Sequence, residues 1–230
     1  MISFQQVTKK YRQKAALQEV NLELTRGKIT GLVGENGSGK STTLKLIAGL
    51  IYPTKGEVLV NGNKVSRRIA SSVSYLSELD EYYRFYNVEQ TIEFYASQFP
   101  DFDPKKAYEI LTFMKLDPES KLKQLSKGNR GRLKIVLSLA RNVPVILMDE
   151  PLSGLDPMVR QSIVKGLISF IDLERQLVLI TTHEVREVEN ILDEVIAIKE
   201  GKIIGHHNVE QLREEENLSI VDWMTKVYES

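Results

Sequence analysis

The sequence predicts an α/β fold with a mostly parallel core sheet, an N-terminal antiparallel β subdomain and an inserted α-helical subdomain. Three observations indicate this fold. A glycine-rich loop at residues 34–41 follows a short apolar strand and precedes a helical pattern, which is the order of a strand–loop–helix unit. Short strands dominate residues 1–77, whereas helical periodicity dominates residues 78–142. Apolar runs typical of buried parallel strands return after residue 143.

Length and composition exclude several classes of protein. A chain of 230 residues suits one domain, and its 42% hydrophobic content can build a sizeable core. The 31 basic and 31 acidic residues cancel, which disfavours a dedicated nucleic-acid binder. No cysteine is present for a disulfide framework or a thiolate metal site. The sequence shows neither a membrane-spanning apolar run nor the regions of a signal peptide, so we expect a soluble, intracellular protein.

The loop at residues 34–41 matches the pattern G-x-x-x-x-G-K-[ST] of a phosphate-binding loop, and so predicts a P-loop NTPase core. Its glycines permit left-handed turns and let backbone N–H groups approach the phosphates of a nucleotide. Lys40 supplies positive charge for the β- and γ-phosphates, and Ser41 offers a hydroxyl to Mg²⁺. The alternative is a glycine turn that binds nothing. The strand at 28–33 and the helical spacing of Leu44, Ile47 and Ile51 argue against it.

The remaining N-terminal elements are short strands. Residues 2–7 and 17–24 predict the first two, and residues 57–60 followed by Asn61-Gly62 predict a strand that enters a hairpin turn. Tyr11 lies between basic residues just before the second strand. Its ring could stack on a base, but the residues alone favour a tyrosine that covers a sheet edge.

Three helices are predicted within the insertion. Residues 88–99 show helical spacing, and Asp103-Pro104 provides a cap and first-turn proline for a helix that reaches residue 114. Ser126 can cap a third helix. One face of that helix carries apolar side chains: Leu133, Val136, Leu137 and Ala140.

Two later strands end in side chains suited to catalysis. The run 143–148 leads into Asp149 and Glu150, which should lie at the carboxyl edge of the sheet, where ligands bind. Asp149 can reach Mg²⁺, and Glu150 can orient or deprotonate a water. The strand 177–182 precedes His183, which could therefore contact a γ-phosphate. We interpret His206-His207 as solvent-exposed, since no third metal ligand lies nearby.

The C-terminal part should form a hairpin at 194–204, a short charged helix from residue 209 and a terminal amphipathic helix. Its stripe of Ile220, Trp223 and Val227 is more typical of packing against the body than of a partner site.

Together these motifs resemble the ATPase subunits of ATP-binding cassette (ABC) transporters over roughly residues 1–205. Residues 34–41 are similar to the Walker A loop of that family, and 145–150 to its Walker B strand. Residues 125–129 resemble the LSGGQ signature, 153–156 the D-loop, and His183 the switch histidine. Tyr11 stands where the family stacks an aromatic ring on adenine, which reverses the interpretation from the residues alone.

The resemblance implies a set of functional residues. Glu150 and His183 would be catalytic, Asp156 would belong to the D-loop, and Ser41, Asp149 and Glu78 would hold Mg²⁺. The signature residues would contact the ATP of a partner subunit: Ser126, Lys127, Gly128 and Asn129. The ATP-binding residues would be Tyr11, Gly34, Glu35, Asn36, Gly37, Ser38, Gly39, Lys40, Ser41 and Thr42.

Two segments depart from the family pattern. Glu78 replaces the usual glutamine and adds negative charge near the phosphates. Lys127 and Asn129 replace a glycine and the glutamine of the signature. Lys127 could add favourable charge near the γ-phosphate of the partner or point to solvent, and we favour solvent. Ser126 and Gly128 remain, so we expect a working site.

The resemblance also predicts organisation and partners. Residues 1–77 and 143–205 would form the ATP-binding core with its β subdomain, 78–142 the helical signature subdomain, and 206–230 a helical tail. Two subunits, as a homodimer or with another ABC ATPase, would enclose two ATP molecules head to tail. Separate membrane subunits would hold the protein on the inner face of the cell membrane. The acidic, aromatic residues 78–99 are the candidate docking surface, although ordinary subdomain packing explains any single aromatic there equally well.

Three functions were compared. The first is the ATP-driven motor of a transporter. The second is a soluble ABC-type ATPase that acts on nucleic acid or ribosomes, and the neutral charge disfavours it. The third is a small-molecule kinase with a phosphate-binding loop. The third would make the signature, D-loop and histidine coincidental, so it ranks last.

Overall fold

The computed structural model describes residues 1–78, 83 and 85–229. Within them the strands are, in chain order, β1 (Ile2–Tyr11), β2 (Lys14–Leu24), β3 (Ile29–Val33), β4 (Lys55–Val60), β5 (Asn63–Lys64), β6 (Val73–Leu76), β7 (Val145–Asp149), β8 (Leu177–Thr182), β9 (Glu194–Lys199) and β10 (Lys202–Asn208). The α-helices are α1 (Lys40–Ile47), α2 (Val88–Gln98), α3 (Pro104–Phe113), α4 (Lys127–Leu139), α5 (Pro157–Phe170), α6 (Val209–Glu214) and α7 (Ile220–Glu229).

The strands form two sheets, as predicted. The N-terminal sheet is antiparallel in the order β2-β1-β4-β5. Asn61 and Gly62 join β4 to β5 with positive φ angles of 50° and 77°, the geometry of a tight hairpin turn. The larger sheet has the order β10-β9-β3-β8-β7-β6, and only the β9–β10 pair is antiparallel.

The register of the larger sheet brings the predicted functional residues to one edge. Val33 of β3 pairs with Thr182 of β8, and Thr181 pairs with Asp149 of β7. The three strands therefore end side by side. The residues that follow them, Gly34, Glu150 and His183, emerge at the same carboxyl edge.

Helix α1 lies between the two sheets, with Leu44 and Ile47 fully buried in the apolar cluster that both sheets share. Ile51, which has helical spacing in the sequence, lies outside this helix. The reason is Gly49, whose positive φ of 68° and bond to the carbonyl of Leu46 form a C-terminal cap.

The helical insertion lies between β6 and β7 and consists of α2, α3 and α4. Asn87, Asp103 and Ser126 each accept a backbone N–H and so cap the three helices. The predicted apolar face of α4 is buried. Part of the candidate docking surface, residues 79–82 and 84, lies outside the described residues.

At the C-terminus, α7 packs on the larger sheet through Ile220 and Trp223, both buried, while Val227 is partly buried against the same cluster. This arrangement confirms the packing interpretation of the stripe. Among the described residues, no helix combines the length and apolar character needed to span a bilayer.

Candidate functional site

The glycine loop joins β3 to α1, and neighbouring backbone closes in on it. A Cβ added to Gly34 would lie 2.4 Å from the carbonyl oxygen of Ile198, and one on Gly39 would lie 2.7 Å from that of Ala16. Gly39 also has a φ of 119°, which L-residues rarely adopt. Gly201 at the β9–β10 turn donates its N–H to the carbonyl of Ser38 at 2.8 Å. The loop is thus a rigid cradle, and these glycines are sterically required.

Lys40 begins α1 and is only 5% exposed. Its Nζ donates to the carbonyl oxygens of Gly34, at 2.7 Å, and Glu35, at 3.1 Å. It also lies 3.3 Å from Oε1 of Glu150. The ammonium group is therefore held at the centre of the loop, where a phosphate chain would lie.

Asp149 is the most fully paired carboxylate of the site. It is 3% exposed, and Oδ1 accepts from Ser41 at 3.0 Å and from Thr181 at 2.8 Å. Its Oδ2 accepts from the hydroxyl of Tyr75 at 3.1 Å. Burial, and then the Asp149 charge, raise the pKa of Tyr75, so Tyr75 stays a donor at neutral pH.

Oxygen ligands for a divalent cation converge beside Lys40. The Ser41 hydroxyl donates to the Asp149 carboxylate, and Glu78 lines the same cavity as Lys40 and Ser41. Hydroxyl and carboxylate oxygens that leave positions for phosphate and water suit Mg²⁺. No cluster of three or more His, Cys, Asp or Glu side chains suited to a metal occurs among the described residues, so a cation here would also need phosphate ligands.

Glu150 links the loop to His183. Its backbone has a positive φ of 48°, stabilised by bonds from its N–H to the Thr181 carbonyl at 3.2 Å and hydroxyl at 3.0 Å. The carboxylate contacts Lys40 through Oε1 and lies 2.8 Å from Nδ1 of His183 through Oε2. Lys40, Glu150 and His183, which are distant in the sequence, are thus joined in one network. Glu150 lies between the two basic side chains.

These groups surround a cavity of about 330 Å³. Six of the predicted ATP-binding residues line it: Asn36, Gly37, Gly39, Lys40, Ser41 and Thr42. The other lining residues are Ala16, Glu78, Glu150, Ser153 and His183. Gly34 and Glu35 line a larger adjacent cavity, and Ser38 is buried within the loop. Tyr11 does not line either cavity. It is 47% exposed at the end of β1, with Nζ of Lys9 5.2 Å from its ring centroid.

The signature residues also lie outside the lining of this cavity. Ser126 caps α4 by accepting the N–H of Asn129 at 3.2 Å. A Cβ on Gly128 would lie 2.9 Å from Val159 of α5, so close packing requires glycine there. The Lys127 side chain is exposed in the single chain, and its Nζ lies close to Gly154.

Asp156 and Glu78 are each held by local contacts. The Asp156 carboxylate accepts the N–H of Val159 at 3.0 Å and so caps α5. The carbonyl of Glu78 accepts a hydrogen bond from Lys134 of α4 at 2.7 Å, which ties this loop to the signature helix.

The late histidines make local contacts only. His206 is exposed and lies 3.3 Å from Glu194, whereas His207 is half-buried against Trp223, with ring centroids 5.5 Å apart. The side chains of His206 and His207 are 36% and 40% exposed, in line with the solvent-exposed interpretation, and the ring of Trp223 packs beside that of His207.

Three residues of the site were not identified from the sequence. Thr181 bridges Asp149 and Glu150, Tyr75 bonds Asp149, and Ala16 lines the cavity. The threonine pair that ends the otherwise apolar strand at 177–182 is the sequence signal that could have identified Thr181.

Comparison with known proteins identifies the family. The family model described as ABC transporter matches residues 17–153. An ABC transporter ATP-binding protein of Methanocaldococcus jannaschii, MJ1023, is 31% identical over 92% of this chain and 79% of its own length. The lantibiotic transport ATP-binding protein SrtF of Streptococcus pyogenes is 30% identical, covering 92% and 95% respectively.

A solved structure agrees in fold. The dimeric bacterial ABC transporter cassette MJ0796 superposes with a TM-score of 0.81 at 26% identity, covering 91% of this chain and 99% of that one. Its post-hydrolysis dimer, bound to ADP and Pi, gives 0.81 at 25% identity over the same shares. The family model, the sequence relatives and the catalytic geometry agree. The chain therefore belongs to the ABC transporter family, as an ATP-binding ATPase subunit.

Proposed function

We propose that this subunit hydrolyses ATP at a composite site between two cassettes, and that closure of the pair drives separate membrane subunits. One observation carries the proposal. The cavity around Lys40 contains the phosphate-binding and catalytic groups but none of the signature residues Ser126, Lys127, Gly128 or Asn129. The hydroxyl and N–H donors at the exposed N-terminus of α4 would therefore bind a nucleotide that another subunit holds. The dimeric form of the MJ0796 cassette supports this arrangement.

Within one subunit, the backbone of residues 34–42 would wrap the phosphates, and Lys40 would exchange its loop carbonyl acceptors for phosphate oxygens. Ser41 and Asp149 would hold Mg²⁺, with Glu78 as a further ligand from the cavity wall. The cation would supply charge neutralisation at the β- and γ-phosphates. We assign adenine stacking to Tyr11, whose ring is 47% exposed and could take a base in place of the Lys9 side chain that lies over it.

Glu150 is the proposed general base. Its carboxylate lies between Lys40, which contacts Oε1, and His183, which contacts Oε2. From this position it can accept the proton of a water that attacks the γ-phosphate. Thr181 fixes the strained backbone from which Glu150 projects. The roles follow from position, because Lys40, Glu150 and His183 line one cavity.

The membrane partner would dock on the insertion. A cavity of about 630 Å³ lies between the core and the helices, lined by Glu78, Tyr95, Phe99 and Arg141 among others. Elsewhere on the insertion, Phe85 is 75% exposed and packs against the rings of Tyr83 and Tyr86. Such docking would place the protein in the cytoplasm on the inner face of the membrane. We retain the division into a core (1–77 and 143–205), a signature subdomain (78–142) and a tail (206–230).

The composite site can be tested through the signature. In an E150Q background, ATP should trap closed dimers that light scattering detects. Adding Ser126→Arg should leave ATP binding by the monomer unchanged but abolish these dimers, because a bulky cation would replace the hydroxyl donor at the N-terminus of α4. If ATP still dimerises the double variant fully, the composite site is wrong.

A further inference from the structure

Beyond the groups assigned above, a second charged cluster lies next to the switch histidine. The segment that follows β8 runs from His183 into the 3-10 turn Val185–Glu187. Two of its carboxylates, Glu184 and Glu187, face Arg160 in the first turn of α5. This helix is the one that Asp156 caps, so the cluster joins the D-loop helix to the switch segment.

The contacts form a continuous chain of polar side chains. Arg160 forms an ion pair with Glu187 and lies 3.8 Å from Glu184. Glu184 lies 3.6 Å from Nε2 of His183, whose other ring nitrogen contacts Glu150. The chain therefore connects α5 to the proposed general base through side chains alone.

Burial makes the Arg160 link effective. The Glu187 side chain is only 10% exposed and that of Arg160 28% exposed, so their attraction is less screened than that of a surface pair. Burial, followed by a hydrogen bond with Glu184, raises the pKa of Glu187 to about 7. The same hydrogen bond lowers the pKa of Glu184. Two carboxyl groups that share a hydrogen bond need one proton between them, and Arg160 balances the remaining charge.

We propose that Arg160 is a positioning residue for ATP hydrolysis: it holds the turn carrying Glu184 and Glu187 against α5, so that His183 faces Glu150. The inference rests on the role proposed for His183. Without the guanidinium, two acidic groups would lie in a half-buried turn without a cation from α5, and the turn would move towards solvent. His183 would then lose its alignment, whereas the phosphate-binding loop would keep its own contacts.

The test compares Arg160→Met with Arg160→Lys. We expect Met to lower kcat roughly ten- to hundredfold, the loss typical of a catalytic group held in poor geometry, without weakening ATP binding by the monomer. Lysine keeps the charge but not the planar fork, so it should recover part of the activity. Adding Glu187→Gln to the Met variant removes one acidic group and should restore part of kcat. The matched control is Arg175→Met, which removes an arginine that is 85% exposed in the segment between α5 and β8.

A spectroscopic measurement separates positioning from damage to the fold. The chain has three histidines, so imidazole NMR signals can be assigned with His183→Ala. In Arg160→Met the His183 signals should shift while those of His206 and His207 stay in place. Unchanged His183 signals together with kcat within twofold of wild type would overturn the inference. If His183→Ala itself leaves kcat unchanged, the proposed function of His183 fails instead, which distinguishes the two failures.

Discussion

Thr181 offers the sharpest test of how the site is built. Replacing it with valine keeps the shape of a fully buried side chain but removes the hydroxyl. That hydroxyl donates to Asp149 at 2.8 Å and accepts the N–H of Glu150 at 3.0 Å. Tyr75 and Ser41 still bond Asp149, so the carboxylate remains partly satisfied.

The magnitude follows from these two bonds. A neutral hydrogen bond contributes about 0.5–1.5 kcal/mol and one to a charged group about 1.5–3 kcal/mol, so Thr181→Val should cost about 2–4 kcal/mol. In a chain of this size that corresponds to a fall in Tm of roughly 5–15 °C. Because Asp149 also loses an orienting partner, the Mg²⁺ concentration for half-maximal ATPase activity should rise about 10- to 100-fold.

Calorimetry and a Mg²⁺ titration of ATPase activity measure both effects. Thr181→Ser is the matched control, since it keeps the hydroxyl and loses only a methyl group. Should the valine variant melt within about 1 °C of wild type and keep its Mg²⁺ dependence, the bridging role of Thr181 would be refuted.

Three further predictions address other groups of the site. Lys40→Ala should abolish tight ATP binding, because it removes the cation enclosed by the loop; an unchanged affinity in a fluorescent-nucleotide titration would contradict the assignment. Glu150→Gln should bind ATP yet hydrolyse it at least ~100-fold more slowly, and wild-type turnover in a phosphate-release assay would exclude Glu150 as the base. Since the pKa of Glu187 is raised to about 7, the folded state holds its proton more tightly than the unfolded chain. Wild-type unfolding free energy should therefore lose this contribution between pH ~4.5 and ~7, and Glu187→Gln should remove that loss in urea titrations; equal pH dependence in both proteins would contradict it.

The pH prediction concerns one group in a charged neighbourhood. Arg160 faces Glu187 from α5, and Glu184 and His183 face it from its own segment. Other charged groups line the same cavity from the loop, the 3-10 turn and α7: Glu35, Arg186 and Glu229. The difference between wild type and Glu187→Gln reports on Glu187 together with Glu184, because the two carboxyl groups share a hydrogen bond, whereas the other neighbours titrate in both proteins.

Most of the fold could be predicted because its signals are local. Apolar runs mark the parallel strands, and Asp103 and Ser126 mark helix starts through caps that each use neighbouring residues. The meeting of the proposed catalytic residues could be predicted for a related reason. Parallel strands end at one edge, so side chains just after a strand meet there, as Glu150 and His183 do.

The parts that could not be predicted depend on register and on distant packing. Thr181 bonds Asp149 because β7 and β8 pair at those two residues, and an apolar run does not specify which residues pair. Arg160 meets Glu187 only because α5 packs beside the turn after β8. No periodicity in the sequence links positions 27 residues apart on different elements.

The central claim is that two copies complete each active site. Mixing Lys40→Ala protein with Ser126→Arg protein tests it directly, because each variant alone has every site damaged. A mixed pair would contain one intact site, made from the loop of the Ser126→Arg copy and the signature of the Lys40→Ala copy. The account predicts that ATPase activity reappears on mixing and rises with total protein concentration. Two inactive proteins that stay inactive together, or wild-type protein that keeps full turnover as a strict monomer, would contradict it.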